Sequence, residues 1–128
     1  TKARGYARAP AGVIGLETAV GASWQALGRE SGQTLLDFMA CWTSAPARLL
    51  GLPPPSLFRR GTPADFTLWD FETPWKVDPA QVLSRSRNCP FAGMWLHGRA
   101  LLTLQAGRIT WIDPQWNARA RLWEERAG

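Results

Sequence analysis

Pro53-Pro54-Pro55 divides this chain more sharply than any other stretch in it. Consecutive prolines fix φ, offer no N–H donor and hold the backbone extended, so neither a helix nor a central strand continues through them. The periodicity changes across the break. Upstream, Ala19, Val20, Ala22, Trp24 and Leu27 fall at helical spacing over Glu17 to Leu27, and Gly28 is the stop. Ser31 is read as the N-cap of a second helix, whose apolar stripe is Leu35, Leu36, Phe38, Met39 and Trp42. Ser44 is expected to cap a third helix, Ala45 to Leu50, with Pro46 in its first turn and Gly51 at its end.

Downstream the pattern is that of a sheet. Gly61-Thr62-Pro63-Ala64 is a turn, and Asp65 to Phe71 alternates polar and apolar as a half-buried strand does. Ala100 to Leu104 is an apolar run, Gln105-Ala106-Gly107-Arg108 a turn, and Ile109-Thr110-Trp111 the return strand of a hairpin. A lone hairpin is marginal in water, so Phe66, Leu68 and Trp69 are expected to pack on it. Trp75-Lys76-Val77 is a short extended piece, and Asp78-Pro79-Ala80 starts one helical turn through Val82 and Leu83. The tail from Asp113, with Trp116 and Trp123 seven apart, is either a docked helix or a disordered end. Three helices then a small open sheet make a lopsided architecture, with no complete βαβ repeat and too little partner surface for its apolar faces.

Composition narrows the function. With 128 residues the chain fits one ordinary domain. No apolar targeting segment follows Thr1, and no apolar run approaches the roughly 20 residues that span a bilayer. The net charge of +5 rests on 13 arginines and 2 lysines, which is read as solvated faces rather than a phosphate-binding patch. A nucleic-acid module would present tryptophan on open faces; Trp24, Trp42 and Trp69 fall where burial is expected. Cys41, in a helical stripe, is read as a small buried hydrophobe, and Cys89 lies in a loop before Pro90. Two such cysteines are no disulfide framework, and the expected compartment is the cytoplasm. His97 is the single histidine and is read as a sheet-rim residue, so no metal site is expected within the chain. Glu17 is expected to cap or orient its helix, Asp65 to hydrogen-bond the Gly61–Ala64 turn, and Arg99 and Arg108 to be structural or solvated. Arg85 and Arg87 sit in a loop read as solvated.

Six pieces in order resemble one family. Ala9-Pro10-Ala11-Gly12-Val13-Ile14-Gly15-Leu16-Glu17 resembles A-P-x-G-I-x-G-L-E, and the helix around Pro46-Ala47 to Gly51-Leu52 resembles N-P-A-x-x-x-G-L. Gly61 to Asp65 resembles the G-x-x-A-D turn, and Ser86-Arg87-Asn88-Cys89-Pro90-Phe91-Ala92-Gly93 resembles S-K-N-T-P-F-x-G. Leu96-His97-Gly98-Arg99 and Leu104 to Ile109 resemble L-x-G-R and L-V-x-G-R-I. Together, from about Ala9 to Trp111, they resemble the C-terminal part of dihydroorotase, in the amidohydrolase superfamily. The Asn88–Gly93 block favours it over allantoinase or dihydropyrimidinase.

The resemblance implies an α/β fold: the last helices of a metal-dependent (β/α)₈ barrel plus the C-terminal strands of a small composite β-sandwich. Residues 1–52 would be the last barrel loop and helices, 53–112 the sandwich share and 113–128 a tail. A whole barrel takes roughly 250 residues, so the chain holds only part of one. The implied activity is reversible interconversion of dihydroorotate and N-carbamoyl-L-aspartate in pyrimidine biosynthesis by a zinc-activated hydroxide. The zinc ligands and the catalytic Asp are expected upstream of Thr1, leaving no catalytic or metal residue here and an inactive isolated segment. What this segment would supply is main-chain contact to substrate at Ala11 and Gly12, since a glycine lets backbone approach a ligand. Expected partners are the small-molecule substrate, the N-terminal part of the enzyme, and either a second copy or aspartate transcarbamoylase; nucleic acid and membrane are not expected. The alternative is a non-catalytic relative that scaffolds aspartate transcarbamoylase, or another cyclic amidohydrolase such as allantoinase.

Overall fold

The computed structural model describes residues 12–28, 31–53 and 59–117. The motif that begins at Ala9 is therefore described only from Gly12, the triple proline only at Pro53, and the tail only as far as Asn117.

Among the described residues the helical half holds three short α-helices. α1 (Ala19–Ser23) runs into a wider π turn, Trp24–Gly28. Trp24 lies so close over Gly28 that a Cβ there would fall 1.9 Å from its ring. α2 is Leu35–Trp42, and its N-cap is Thr34, not Ser31: Thr34 Oγ1 accepts from the Asp37 N–H at 3.2 Å. Ser31 Oγ instead donates back to the carbonyl of Leu27. α3 (Ser44–Leu49) follows after Thr43 alone; Thr43 holds the cap position, so Ser44 already lies inside the helix. At the α3 end, Gly51 takes φ +66°, its N–H meets Arg48 O at 3.1 Å and Leu52 N–H meets Ala47 O at 2.9 Å. That pair of bonds is a Schellman stop, the role expected of this glycine.

The second half holds two antiparallel sheets. β1 (Phe66–Asp70), β4 (Arg99–Gln105) and β5 (Arg108–Ile112) form one in the order β1-β4-β5, and β2 (Trp75–Lys76) pairs with β3 (Trp95–Leu96) in the other. The expected helical turn at Asp78 is a single hydrogen-bonded turn, Gln81 N–H to Asp78 O at 3.0 Å. The β4–β5 turn is Ala106-Gly107, both at positive φ (+49° and +74°), the two-residue geometry that suits the twist of a hairpin. Asp65 Oδ1 accepts from the Ala106 N–H at 2.5 Å, and Gly107 N–H donates to Ala64 O at 3.0 Å. Asp65 thus fastens the hairpin turn rather than its own.

Opposed residues of an antiparallel pair share a face. Phe66 stands opposite Leu104, which stands opposite Ile109; Leu68 stands opposite Leu102, which stands opposite Ile112. These six make one apolar face. Phe66, Leu68 and Ile109 remain 39%, 43% and 61% exposed, so the expected packing of Phe66 and Leu68 on the hairpin takes the form of strand pairing without cover. Thr67 and Thr103 hydroxyls meet at 3.2 Å on the opposite face. A bulge at Leu101 then shifts the register, and Trp69 pairs with Ala100.

An aromatic cluster joins the halves. Phe38 of α2 is buried, with its ring centroid 5.0 Å from Trp24 and 6.1 Å from Phe71, and Phe71 lies 6.1 Å from Trp69. Beside it, α1 lies on the β3–β4 turn through two glycines: a Cβ on Gly21 would stand 2.9 Å from the carbonyl oxygens of both His97 and Gly98. The C-terminal end of β5 is fixed by Asp113, 2% exposed. Its Oδ1 accepts from the N–H groups of Gln115 and Trp116 at 2.9 Å, capping a helical turn that starts at Pro114. Its Oδ2 faces Arg99 Nη2 at 2.6 Å as an ion pair, which gives Arg99 the structural role expected of it.

Elsewhere burial is sparse. Among the described residues four hydrophobic side chains are buried, Val20, Phe38, Val77 and Leu96, whereas Leu16, Leu36, Leu49 and Leu50 are 98%, 83%, 89% and 74% exposed. Cys41 is exposed too, against expectation, because nothing in the described chain covers the outer face of α2. Among the described residues no helix is long and apolar enough to cross a membrane. Gly21→Ala is expected to destabilise the fold by about 1–3 kcal/mol, because two carbonyls must give way. The denaturant midpoint reads this, and an unchanged midpoint would show that α1 does not depend on that contact.

Candidate functional site

The candidate site is built where the segment from Gly12 to Glu17 lies beside the loop from Leu83 to Asn88. Gly12 has φ +72°, a conformation glycine adopts without strain, and among the described residues nothing lies within 4 Å of where its Cβ would be. A ligand can therefore reach the main chain there. Ala11, the other residue singled out for substrate contact, lies outside the described residues.

Asn88 secures one end. Its Nδ2 donates to Gly12 O at 2.5 Å, and its own carbonyl accepts from the Ile14 N–H at 3.1 Å. Glu17 secures the other. Its two carboxylate oxygens accept from Leu83 N–H at 3.1 and 3.0 Å, and Oε1 also accepts from Ser84 N–H at 3.2 Å. Two successive N–H groups form a small anion-binding concavity, and here Glu17 fills it with charge-assisted bonds. Glu17 therefore reaches 66 residues along the chain rather than capping its own helix, whose cap position, Thr18, makes no side-chain cap bond.

The loop is also fastened to itself. Ser86 N–H donates to Ser84 Oγ and Asn88 N–H to Ser86 Oγ, each at 3.3 Å. Arg87 Nη1 donates to Val82 O at 3.1 Å and to Ser84 O. The Arg87 guanidinium is thus used inside the loop, while Arg85 stands exposed. A cleft of about 570 Å³ opens beside the paired segments, with Ile14, Leu16, Val82, Leu83 and Cys89 among its lining. Its walls are mainly apolar.

The titratable side chains that line this cleft are Glu17 and Cys89. His97 is half-buried in the β3–β4 turn, with its carbonyl turned to Gly21. No three side chains of His, Cys, Asp or Glu among the described residues stand close enough together to hold a metal ion. A second groove, about 930 Å³, is walled by Trp69, Trp75, Trp95, Trp111 and Trp116 beside Arg99 and Asp113. Arg99 and Asp113 are committed to each other, Arg99 also lies 5.8 Å over the Trp75 ring, and Asp70, Lys76 and Asp78 line the groove as well. Asn88 entered the sequence reading only as part of a motif. No local pattern announces a bond to a glycine 76 residues away.

Fold and loops together define a mixed helix-and-sheet unit whose candidate ligand-facing element is main chain at Gly12. No family model matches the chain. Curated relatives do. The chain is 47% identical over 100 residues to a dihydroorotase of Syntrophotalea carbinolica, covering 78% of this chain and 23% of that protein. It is 41% identical over 108 residues to a dihydroorotase of Pelotomaculum thermopropionicum, covering 84% and 25%. A dihydroorotase of Deinococcus radiodurans is 37% identical over 111 residues, covering 86% and 26%. The chain is thus similar to dihydroorotases over most of its own length and spans about a quarter of theirs.

Replacing Glu17 by Ala is expected to free the Leu83 and Ser84 N–H groups and speed their hydrogen exchange at least about tenfold, as loss of a charge-assisted bond implies. Unchanged exchange at both amides would show that the loop holds its place without Glu17.

Proposed function

We propose that this chain is the C-terminal segment of a zinc dihydroorotase, which interconverts dihydroorotate and N-carbamoyl-L-aspartate in pyrimidine biosynthesis. The observation that carries the reading is the similarity to proteins named dihydroorotase over most of this chain. The exposed apolar side chains support it, because they need a larger body to cover them. On this reading residues 1–52 complete a (β/α)₈ barrel, residues 53–112 complete a β-sandwich begun by the N-terminal part, and 113–128 form the tail. The zinc ligands and the proton-shuttling Asp lie upstream.

The part this segment plays is binding. Main chain at Ala11 and Gly12 receives the substrate carboxylate, for which backbone N–H groups are suited and a Cβ would be in the way. The apolar cleft beside Leu16 and Leu83 is closed by the upstream chain. The working enzyme is cytoplasmic, and its protein partner is a second copy of itself or aspartate transcarbamoylase.

The test compares the isolated 128 residues with the same chain joined to its upstream part, assaying dihydroorotate hydrolysis and the reverse cyclisation. Turnover is expected from the joined polypeptide alone. Turnover by the isolated segment would place catalytic groups within it. Silence of the joined polypeptide would favour a non-catalytic scaffold.

A further inference from the structure

Gly12 can present main chain to a ligand only if its peptide planes stay in one orientation, and glycine, lacking a Cβ, does not hold its own. The restraint comes from Asn88. Its carboxamide donates to the Gly12 carbonyl and its own carbonyl accepts from the Ile14 N–H, so the peptides on both sides of Val13 are fixed from a single residue. Asn88 can do this because it is half-buried at the end of a loop fastened internally by Ser84, Ser86 and Arg87 and anchored at its far end by Glu17. The chemistry is specific. A carbonyl needs a donor, and a carboxylate of the same shape would set oxygen against oxygen.

We propose that Asn88 is a positioning residue for substrate binding: its carboxamide holds the Gly12 main chain in the orientation that receives the substrate carboxylate, without touching substrate itself. This rests on the reading of Gly12 as substrate-facing in a dihydroorotase. It predicts a loss in KM rather than in kcat, since the reacting groups stand elsewhere.

The experiment uses the complete polypeptide, unsubstituted and as Asn88→Ala and Asn88→Asp, with steady-state kinetics for dihydroorotate and thermal unfolding of each. Both variants are expected to raise KM roughly tenfold while kcat stays within about threefold, with Asn88→Asp no milder than Asn88→Ala. A role in stability alone would lower Tm and the active fraction but leave the KM of the surviving enzyme untouched, and that result overturns the proposal even if one variant folds poorly. Equal KM in Asn88→Asp and the unsubstituted enzyme overturns it as well. Absence of turnover in the unsubstituted polypeptide is a different result: it removes the dihydroorotase reading, and the assignment of Asn88 falls with it.

Discussion

Two residues without side chains, Gly21 in α1 and Gly98 between β3 and β4, let the helical half rest main chain against main chain on the sheet half. A Cβ on either would collide: with the His97 and Gly98 carbonyls in one case, with the Phe71 ring in the other. The close approach has a consequence for the aromatic cluster. With α1 seated on the turn, Trp24 reaches Phe71 at 5.3 Å and Phe38 at 5.0 Å, and Phe38 becomes the buried centre of the join. Tilted and edge-on ring pairs contribute about 0.5–1.5 kcal/mol each beyond area burial, so this cluster is the principal cohesive feature between the halves. The same seating leaves Glu17, just ahead of α1, within reach of Leu83 and Ser84. The candidate site thus inherits its geometry from a contact between glycines.

Much of this was legible from local pattern. α2, the Gly51 stop, β1 and the β4–β5 hairpin follow from periodicity and turn chemistry, which act within a few residues. What was not legible depends on distance along the chain. Asp65 finds the Ala106 N–H 41 residues away, and Glu17 and Asn88 make contacts 66 and 76 residues away. Thr34 outcompetes Ser31 as a cap because Asp37 stands three residues on, where its N–H can bond back and its carboxylate can accept from the Thr34 hydroxyl at 2.6 Å. That Thr-x-x-Asp spacing was a usable signal. The two-residue strand β3 carries no period at all, and it forms because Trp75–Lys76 lies ready to pair with it.

Exposure was the other thing periodicity does not supply. A stripe at helical spacing shows which side chains share a face, not whether anything covers that face. Leu36 on α2, Leu49 on α3 and the Phe66–Leu104–Ile109 rung of the sheet all belong to well-formed apolar surfaces, and all carry side chains left open. Similarity to dihydroorotases, of whose length the chain spans about a quarter, fits the proposed reading: these surfaces suit a fold completed by other parts of such a protein. On the reading proposed above, the main-chain element at Gly12 and the catalytic chemistry come from different stretches of one polypeptide, and Asn88 holds the first in place.

The most direct test of this account is hydroxyl-radical footprinting of Leu36, Leu49, Phe66, Leu68 and Ile109, in the isolated chain and in the polypeptide that includes the upstream part. The account predicts strong labelling of all five in the isolated chain and protection of each in the complete polypeptide. Equal labelling in both would contradict it, because surfaces that stay open in the whole protein were never shaped to be covered by the rest of it.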